Sequence, residues 1–309
     1  MIRVTTSTIF DRITTQLGQQ QARLAETQER ISTGRNYLKP SDAPDQVAAL
    51  DRLESSVRKA DQYLKNIAAV NDKLSLQELA ITSVNDDLIR AKELLIQGAN
   101  GTLDQTTKEA LAIELDSIYN NLISVGNSKD TDGSYLFSGF IQGTPPFSAS
   151  NDPLIGSFND FFAGNDAIQT VAIDDGYAID VGLPGSKLFS GFKDEAGNST
   201  NLFKVIKQAT NALRTSDEAG IRSAIDSVSN GFDYVNVKLT QVGSKMRVTE
   251  TQTQILDERT LTLESMISSV KDLDYISAVT ELKNQSLALE AGQASFAQIS
   301  NLSLFNYIK

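Results

Sequence analysis

The stretch RISTGRNYLKPSDAPDQ, residues Arg30–Gln46, interrupts a chain that builds long helices on both sides of it. Gly34, Pro40 and Pro44 fall within eleven residues, and glycine and proline both disfavour the interior of a helix. Gly34 is expected to end one helix, and Pro40 to prevent its continuation. The serine or aspartate that follows can cap the next helix, whose first turn then holds Pro44. The predicted hinge comprises Gly34, Pro40, Ser41, Asp42 and Pro44.

Before this break, apolar residues recur every seven positions and mark a narrow helical seam. The seam comprises Phe10, Ile13, Leu17, Leu24 and Ile31. Its second heptad position turns polar after Ile13, so the strip is too thin to hold the helix in water by itself. Residues 1–31 are therefore predicted to form a weak helix that needs a partner.

After the break, seven apolar residues follow one another at a strict spacing of seven, from Leu53 to Leu95. They predict one helix over residues 45–98, which would be about 80 Å long at 1.5 Å per residue. Thr106 and Glu109 have the spacing of a capping box, and this predicts a third helix that ends near Gly126.

Residues 127–200 differ in composition, because they hold ten of the nineteen glycines and eight of the thirteen phenylalanines. Within them, Gln169–Gly182 has β-branched runs on both sides of an Asp-Gly turn, which favours a hairpin. The segments Gly133–Phe140 and Gly185–Phe192 match at seven of eight positions. We interpret the repeat as two matching strands or turns that anchor a small β-rich domain by Leu–Phe pairs, with chance similarity as the alternative.

Helical periodicity resumes after Asn201. A short helix is predicted first, and then one seam of alternating three- and four-residue steps runs from Ile221 to Val270, about 75 Å of helix. The phase of the pattern shifts at Lys271–Tyr275 (KDLDY), where a last weak helix is predicted to start. Its seam comprises Tyr275, Leu282, Leu289 and Phe296 at a spacing of seven, and Val279, Ile299 and Leu302 complete it.

Two long helices of equal length should pack side by side and antiparallel. The predicted fold is mainly α with a β-rich insertion: an elongated antiparallel coiled-coil rod with both termini at one end and a small β domain at mid-sequence. The predicted parts are the terminal coiled coil (1–40 with 272–309), disordered in the monomer, the helical rod (41–132 with 200–271), and the variable outer domain (133–199).

Composition narrows the function. The chain has no His and no Cys, so it lacks the commonest general base and metal ligands, and an enzyme is not expected. Its net charge of −11 disfavours nucleic acid as a partner, and it has no apolar run long enough for membrane insertion. Lys129–Gly133 resembles the start of a calcium-binding loop. The position of the glutamate that would complete the calcium site is occupied by Gly139, so a turn is predicted instead. We predict no catalytic, cofactor or metal residues.

Three segments resemble the flagellin-like axial proteins of the bacterial flagellum. ISTGRNYLKPSDAP (Ile31–Pro44) is similar to the break motif of these proteins. LALEAGQASFAQISNLSLFNYI (Leu287–Ile308) resembles the C-terminus of the hook-associated protein 3 branch, which forms the hook–filament junction. GSYLFSG followed by Pro145–Phe147 is similar to the point where that branch leaves its helical part. Flagellin tends to differ at Pro40–Pro44 and at the SLFNYI ending.

The resemblance implies a structural subunit in the junction layer between the first hook-associated protein and the flagellin filament. It implies self-association in a ring or helical layer, with the terminal helices in the inner tube. It also implies export by the flagellar type III system, from the cytoplasm to the extracellular flagellum, with an export chaperone bound through the C-terminal region. Composition alone favours a cytoplasmic location, and the resemblance replaces that prediction with the extracellular flagellum.

The two weak seams are predicted to form the assembly interface. It comprises Phe10, Ile13, Leu17, Leu24, Ile31, Leu282, Leu289, Phe296, Ile299, Leu302, Leu304 and Phe305. The alternative is an intramolecular two-helix seam that never meets another subunit. Two other functions stay open: a minor flagellin or other axial protein, and a glycan-binding module on a coiled-coil stalk. In the second case Phe158, Phe161 and Phe162 would bind the glycan, unless they are core residues.

Overall fold

The computed structural model describes residues 2–141, 143–148, 153–154 and 158–305. The chain divides into two compact units. The terminal unit combines Met1–Lys59 with Glu258–Lys309, and the central unit is Ala60–Asp257. No helix within the described residues is both long enough and apolar enough to cross a bilayer.

Eight α-helices dominate the described part of the chain. They are α1 (Ile2–Thr33), α2 (Pro44–Gly98), α3 (Gln105–Gly126), α4 (Phe158–Phe161), α5 (Gly185–Phe189), α6 (Leu202–Arg214), α7 (Glu218–Lys271) and α8 (Tyr275–Phe305). The four strands are β1 (Gln169–Asp174), β2 (Tyr177–Val181), β3 (Ser190–Lys193) and β4 (Ser199–Asn201). The prediction of a mainly α fold with a small β-rich insertion at mid-sequence is confirmed.

Polar side chains join α2 to α7 along the central unit. Thr249 donates its hydroxyl hydrogen to the Asn71 amide oxygen, and Asn85 Nδ2 donates to Asn236 Oδ1 at 3.0 Å. Residue numbers rise along α2 as they fall along α7, so the two helices run antiparallel, as predicted. Because such polar pairs are satisfied in one alignment only, they help to define the register of the two helices.

One predicted helix cap is wrong. Asp104, two residues before Thr106, is the N-cap of α3, and its Oδ1 accepts a hydrogen bond from the Thr107 backbone N–H at 3.0 Å. The capping box predicted at Thr106 with Glu109 is therefore not formed there. Aspartate and threonine can both act as N-caps, and aspartate is the better of the two. Asp104 and Thr106 were therefore both possible caps from the sequence.

The β-rich region consists of two short hairpins. Strands β1 and β2 pair antiparallel around Asp175 and Gly176, and Gly176 has a φ of +73°, as this turn requires. Strands β3 and β4 form a second antiparallel pair. The hairpin predicted over residues 169–182 is confirmed.

The repeated segments come together in the core of the central unit. Phe137 and Phe189 are both fully buried, with their ring centroids 6.0 Å apart and the rings nearly perpendicular. The Gly185 N–H donates to the Phe137 carbonyl at 2.8 Å. The copies are not matching strands, since Phe137 lies in a turn and Phe189 ends the one-turn helix α5. Leu136 and Leu188, which precede these phenylalanines, are buried in the same core.

Candidate assembly interface

Helices α1 and α8 form an antiparallel pair within the terminal unit. The rings of Phe10 and Phe296 meet edge to face with their centroids 5.3 Å apart. One turn along α8, Gly292 faces Leu17, since a Cβ on this glycine would lie 3.0 Å from the Leu17 side chain. The predicted seam residues of the two terminal helices are thus brought together by the fold.

This seam is only half-buried. The half-buried members are Phe10, Ile13, Leu17, Leu24, Ile31, Leu282, Leu289 and Phe296. Ile299 is 37% exposed, while Leu302, Leu304 and Phe305 lie in α8 with side chains outside the described ones. Among the described apolar residues of the terminal unit, only Leu273 and Ala278 are buried. The intramolecular pairing therefore leaves much of the predicted interface accessible.

A second apolar face of α8 is exposed, and the heptad pattern did not reveal it. Ile276 is 82% exposed and Leu287 66%. Leu287 and Phe296 are nine residues apart, or two and a half helical turns, so they point to opposite sides of α8. The available signal was the presence of large apolar residues outside the seam positions. A helix that is apolar on two sides normally has partners on both.

The first break is made by Gly34, as predicted. It follows the last residue of α1 and has a φ of +68°, which glycine adopts without strain. A Cβ at this position would also come within 2.9 Å of the Tyr275 hydroxyl oxygen. Glycine is therefore required here both by the backbone conformation and by the close approach of α8.

The two breaks of the chain pair with each other in the terminal unit. The Asn36 N–H donates to the Lys271 carbonyl, and the Leu273 N–H donates to the Gly34 carbonyl, both at 2.9 Å. These bonds satisfy backbone groups that the helix ends leave unpaired. KDLDY, where the sequence pattern shifts phase, therefore lies beside the first break.

The start of α2 differs in detail from the prediction. Pro40–Asp42 forms a single 3-10 turn, and the Asp42 carboxylate accepts a hydrogen bond from the Lys39 N–H at 2.9 Å. Asp42 therefore caps this turn, and neither it nor Ser41 caps α2. Pro44 begins α2, which confirms its place in the first turn.

Asp274 organises the start of α8. Its carboxylate accepts hydrogen bonds from the Ile276 N–H at 3.0 Å and from the Ser277 hydroxyl at 2.8 Å. The bonds from Ser277 favour the ionised form and lower the pKa of Asp274 below its ordinary value. The negative charge also lies at the positive end of the helix dipole.

The phenylalanines proposed for glycan binding belong to the core. Phe161 and Phe162 are buried, and Phe158 stacks on Phe162 with the ring centroids 5.8 Å apart. All three rings pack against Phe147, which is 1% exposed. Phe158 is half-buried against this core, so all three residues are accounted for by core packing and no longer support the glycan hypothesis.

The acidic turn at Lys129–Gly133 binds its own backbone. Asp130 Oδ1 accepts hydrogen bonds from the N–H groups of Asp132 and Ser134 at 3.0 and 2.9 Å. In the part of the chain that the structure describes, no three acidic side chains converge as a metal site. The geometry is that of the predicted turn.

Comparison with known proteins shows which proteins this chain is similar to. The model of the bacterial flagellin N-terminal helical region matches residues 4–142. Flagellar hook-associated protein 3 of Escherichia coli is 26% identical over 298 residues, covering 91% of this chain and 92% of that protein. Its counterpart from Salmonella typhimurium is 25% identical and covers 98% of this chain and 99% of that protein. The resemblance to hook-associated protein 3 of the flagellin-like axial proteins is confirmed.

Solved structures of flagellin-like axial proteins share the fold. A flagellar hook-associated protein from Vibrio parahaemolyticus superposes with a TM-score of 0.66 at 21% sequence identity. The match covers 75% of this chain and all of that chain. The fold of this chain is therefore shared with an experimentally determined structure.

Proposed function

We propose that this chain is a structural subunit of the bacterial flagellum, in the junction layer between the hook-side hook-associated protein and the flagellin filament. The observation that carries the proposal is the match to hook-associated protein 3 along nearly the whole length of both chains. The role is structural and not catalytic. The partners are further copies of this chain, the first hook-associated protein and flagellin.

The terminal unit supplies the surface for this assembly. Its seam is half-buried by α1, and the opposite face of α8 exposes Ile276 and Leu287 to water. At about 25 cal/mol per Å² of apolar surface removed from water, covering both faces is a strong driving force for association. We propose that neighbouring subunits cover them, and that residues 1–40 and 272–309 become fully ordered only then.

Export and location follow from the same role. The chain would leave the cytoplasm unfolded through the flagellar type III system and function outside the cell. A chaperone would hold the C-terminal region before export, since an amphipathic helix of this kind suits a hydrophobic groove. A pull-down with the chaperone as bait tests this point: loss of binding on deletion of residues 275–309 supports the contact, and unchanged binding contradicts it.

Labelled antibodies on intact flagella test the main proposal. A band of label confined to the boundary between hook and filament is the expected result. Label along the whole filament would instead indicate a minor flagellin, and absence of label from the flagellum would contradict both functions. A strain that lacks this chain serves as the control for antibody specificity.

A minor flagellin is the second candidate, because the matching family model describes flagellin. Polymerisation of the purified chain separates the two roles. Under conditions in which authentic flagellin forms long filaments, a junction subunit is expected to form none. Filaments of this chain alone, seen by electron microscopy, would favour the flagellin role.

A further inference from the structure

A small pocket lies beside the paired breaks of the terminal unit. Its volume is about 170 Å³. The pocket, here called the break pocket, is lined by Arg35, Tyr37, Leu50, Glu54 and Lys271. Two of these residues come from the first break, two from the beginning of α2 and one from the end of α7. The pocket thus lies where the two breaks are hydrogen-bonded to each other.

The break pocket contains hydrogen-bond donors without acceptors. The Tyr37 hydroxyl is buried and has no hydrogen-bond partner within the described residues. Arg35 and Lys271 form no ion pair with any acid in the described part of the chain, whereas Glu54 lies 3.8 Å from Arg58. A buried hydroxyl without a partner destabilises the folded state, so an acceptor that enters the pocket would be stabilised there.

A carboxylate has the chemistry that these donors lack. It accepts several hydrogen bonds at once, and bonds to guanidinium and ammonium groups are shorter and stronger than those between neutral groups. We propose that the break pocket receives an aspartate or glutamate side chain from a neighbouring copy of this chain. The inference rests on the proposed function, since it requires that copies assemble side by side.

Charge favours a second copy as the source of that carboxylate. The chain carries 39 acidic and 28 basic residues, so copies repel one another on average. A pocket with two cations and one carboxylate is a local exception to this acidic surface and is complementary to it. It also lies in the same unit as the exposed face of α8, which is the surface proposed for assembly.

Photo-cross-linking identifies the occupant directly. We would replace Tyr37 by p-benzoylphenylalanine in the full-length chain and irradiate assembled flagella. The expected product is a dimer of this chain, with the cross-linked peptide of the second copy carrying an aspartate or glutamate. The absence of a cross-link, or a cross-link only to another protein, would overturn the proposal. The unirradiated sample and wild-type flagella are the controls.

Charge reversal tests the energetics. In the double variant Arg35→Glu, Lys271→Glu we expect incorporation into flagella to fall at least about tenfold, since charge-assisted bonds contribute roughly 1.5–3 kcal/mol each. The double variant Arg35→Lys, Lys271→Arg keeps both charges and should incorporate far better than the reversed one. Equal incorporation of the reversed and wild-type chains contradicts the inference, provided that circular dichroism shows the same helix content.

Leu287→Asp separates this inference from the proposed function. This substitution changes the exposed face of α8 and leaves the break pocket intact. If Leu287→Asp blocks incorporation and the charge reversal does not, only the break pocket is wrong. If the charge reversal blocks incorporation and Leu287→Asp does not, the break pocket stands and the exposed face of α8 is not an assembly surface.

Discussion

The terminal and central units share the two longest helices of the protein, α2 and α7, yet only the central unit has an extended apolar core. In the central unit, α3, α6 and the β-hairpins cover these helices, and residues such as Leu74, Leu95 and Val235 are fully buried. In the terminal unit, Leu273 and Ala278 are the only buried apolar residues among those described. The long helices are therefore part of an apolar core in the central unit and stay mostly accessible in the terminal unit.

The difference between the units shows how little apolar surface two paired helices bury when no further helices or strands cover them. Each helix of a pair buries one narrow strip, and the rest of its surface faces water. Ordering a residue costs about 1–2 kcal/mol of backbone entropy, which so thin a strip hardly offsets. The central unit meets this cost within one chain, while we propose that the terminal unit meets it only with partners.

The largest effect is expected when the seam of the terminal unit is made acidic. With Leu289→Asp and Phe296→Asp together, incorporation into flagella should be lost, because two charges would have to be buried between subunits. The unfolding midpoint of the central unit in urea should not change. Motile cells with normal junctions would show that this seam is not an assembly surface.

The second largest effect is a difference between the two units in the free energy of unfolding lost when a phenylalanine ring is removed. Phe147→Ala should lower the free energy of unfolding by about 3–5 kcal/mol, since this ring contacts five other phenylalanines in the core. The matched change Phe296→Ala should cost no more than about 1 kcal/mol, because that ring already contacts water. Urea denaturation measures both values, and similar losses would contradict the contrast.

Hydrogen exchange on the dilute monomer tests the contrast without any substitution. Amides of α1 and α8 should exchange at least about 100-fold faster than those of the α2 segment from Ile67 to Leu95. The reason is that local opening of α1 or α8 exposes little apolar surface that was buried. Strong protection of α8 in the monomer would mean that the terminal unit is stable alone.

Two glycines of the terminal unit should respond oppositely to alanine. Gly34→Ala should destabilise the paired breaks by about 1–2 kcal/mol, because the residue has a positive φ and lies against Tyr275. Gly18→Ala is the matched control: this glycine is inside α1 with open space around it, so alanine should stabilise the helix by up to about 1 kcal/mol. Exchange of the Leu273 amide, which is bonded to Gly34, reports the first effect.

The smallest effect concerns two helix caps with lowered pKa values, Asp274 at α8 and Asp104 at α3. Thr107 lowers the pKa of Asp104 as Ser277 lowers that of Asp274. A lowered folded-state pKa means that each ionised cap stabilises its helix above about pH 4, and that this contribution is lost as pH falls through the folded-state pKa. Acidification should increase amide hydrogen exchange in the first turn of α8 more than in the first turn of α3. The reason is that tertiary contacts also stabilise α3.

Asp274→Asn provides the control for the acid effect. Asparagine also caps helices but does not titrate in this range, so exchange in the first turn of α8 should no longer depend on pH below 4 beyond the intrinsic rate. An unchanged acid response in Asp274→Asn would assign the effect to another carboxylate.

Helix positions were predictable from local periodicity. The predicted helix over residues 45–98 begins at Pro44 and ends at Gly98, and the last helix begins at Tyr275 as predicted. Helix caps were less predictable, because Asp104 and Thr106 both have suitable side chains and only the packed helix selects one. The exposed face of α8 was missed because Ile276 and Leu287 do not follow the heptad repeat on which the prediction relied.

The sequence by itself determined the order and length of the helices, the two breaks, the hairpin at Asp175–Gly176 and the resemblance to axial proteins. These features depend on residues close together in the chain: the spacing of apolar side chains, and the backbone preferences of glycine and proline. Only the tertiary structure decided that Phe137 packs on Phe189, that the breaks bond to each other, and that Arg35, Tyr37 and Lys271 share one pocket. Such contacts join residues far apart in the chain, and a periodic pattern carries no record of which distant residues meet.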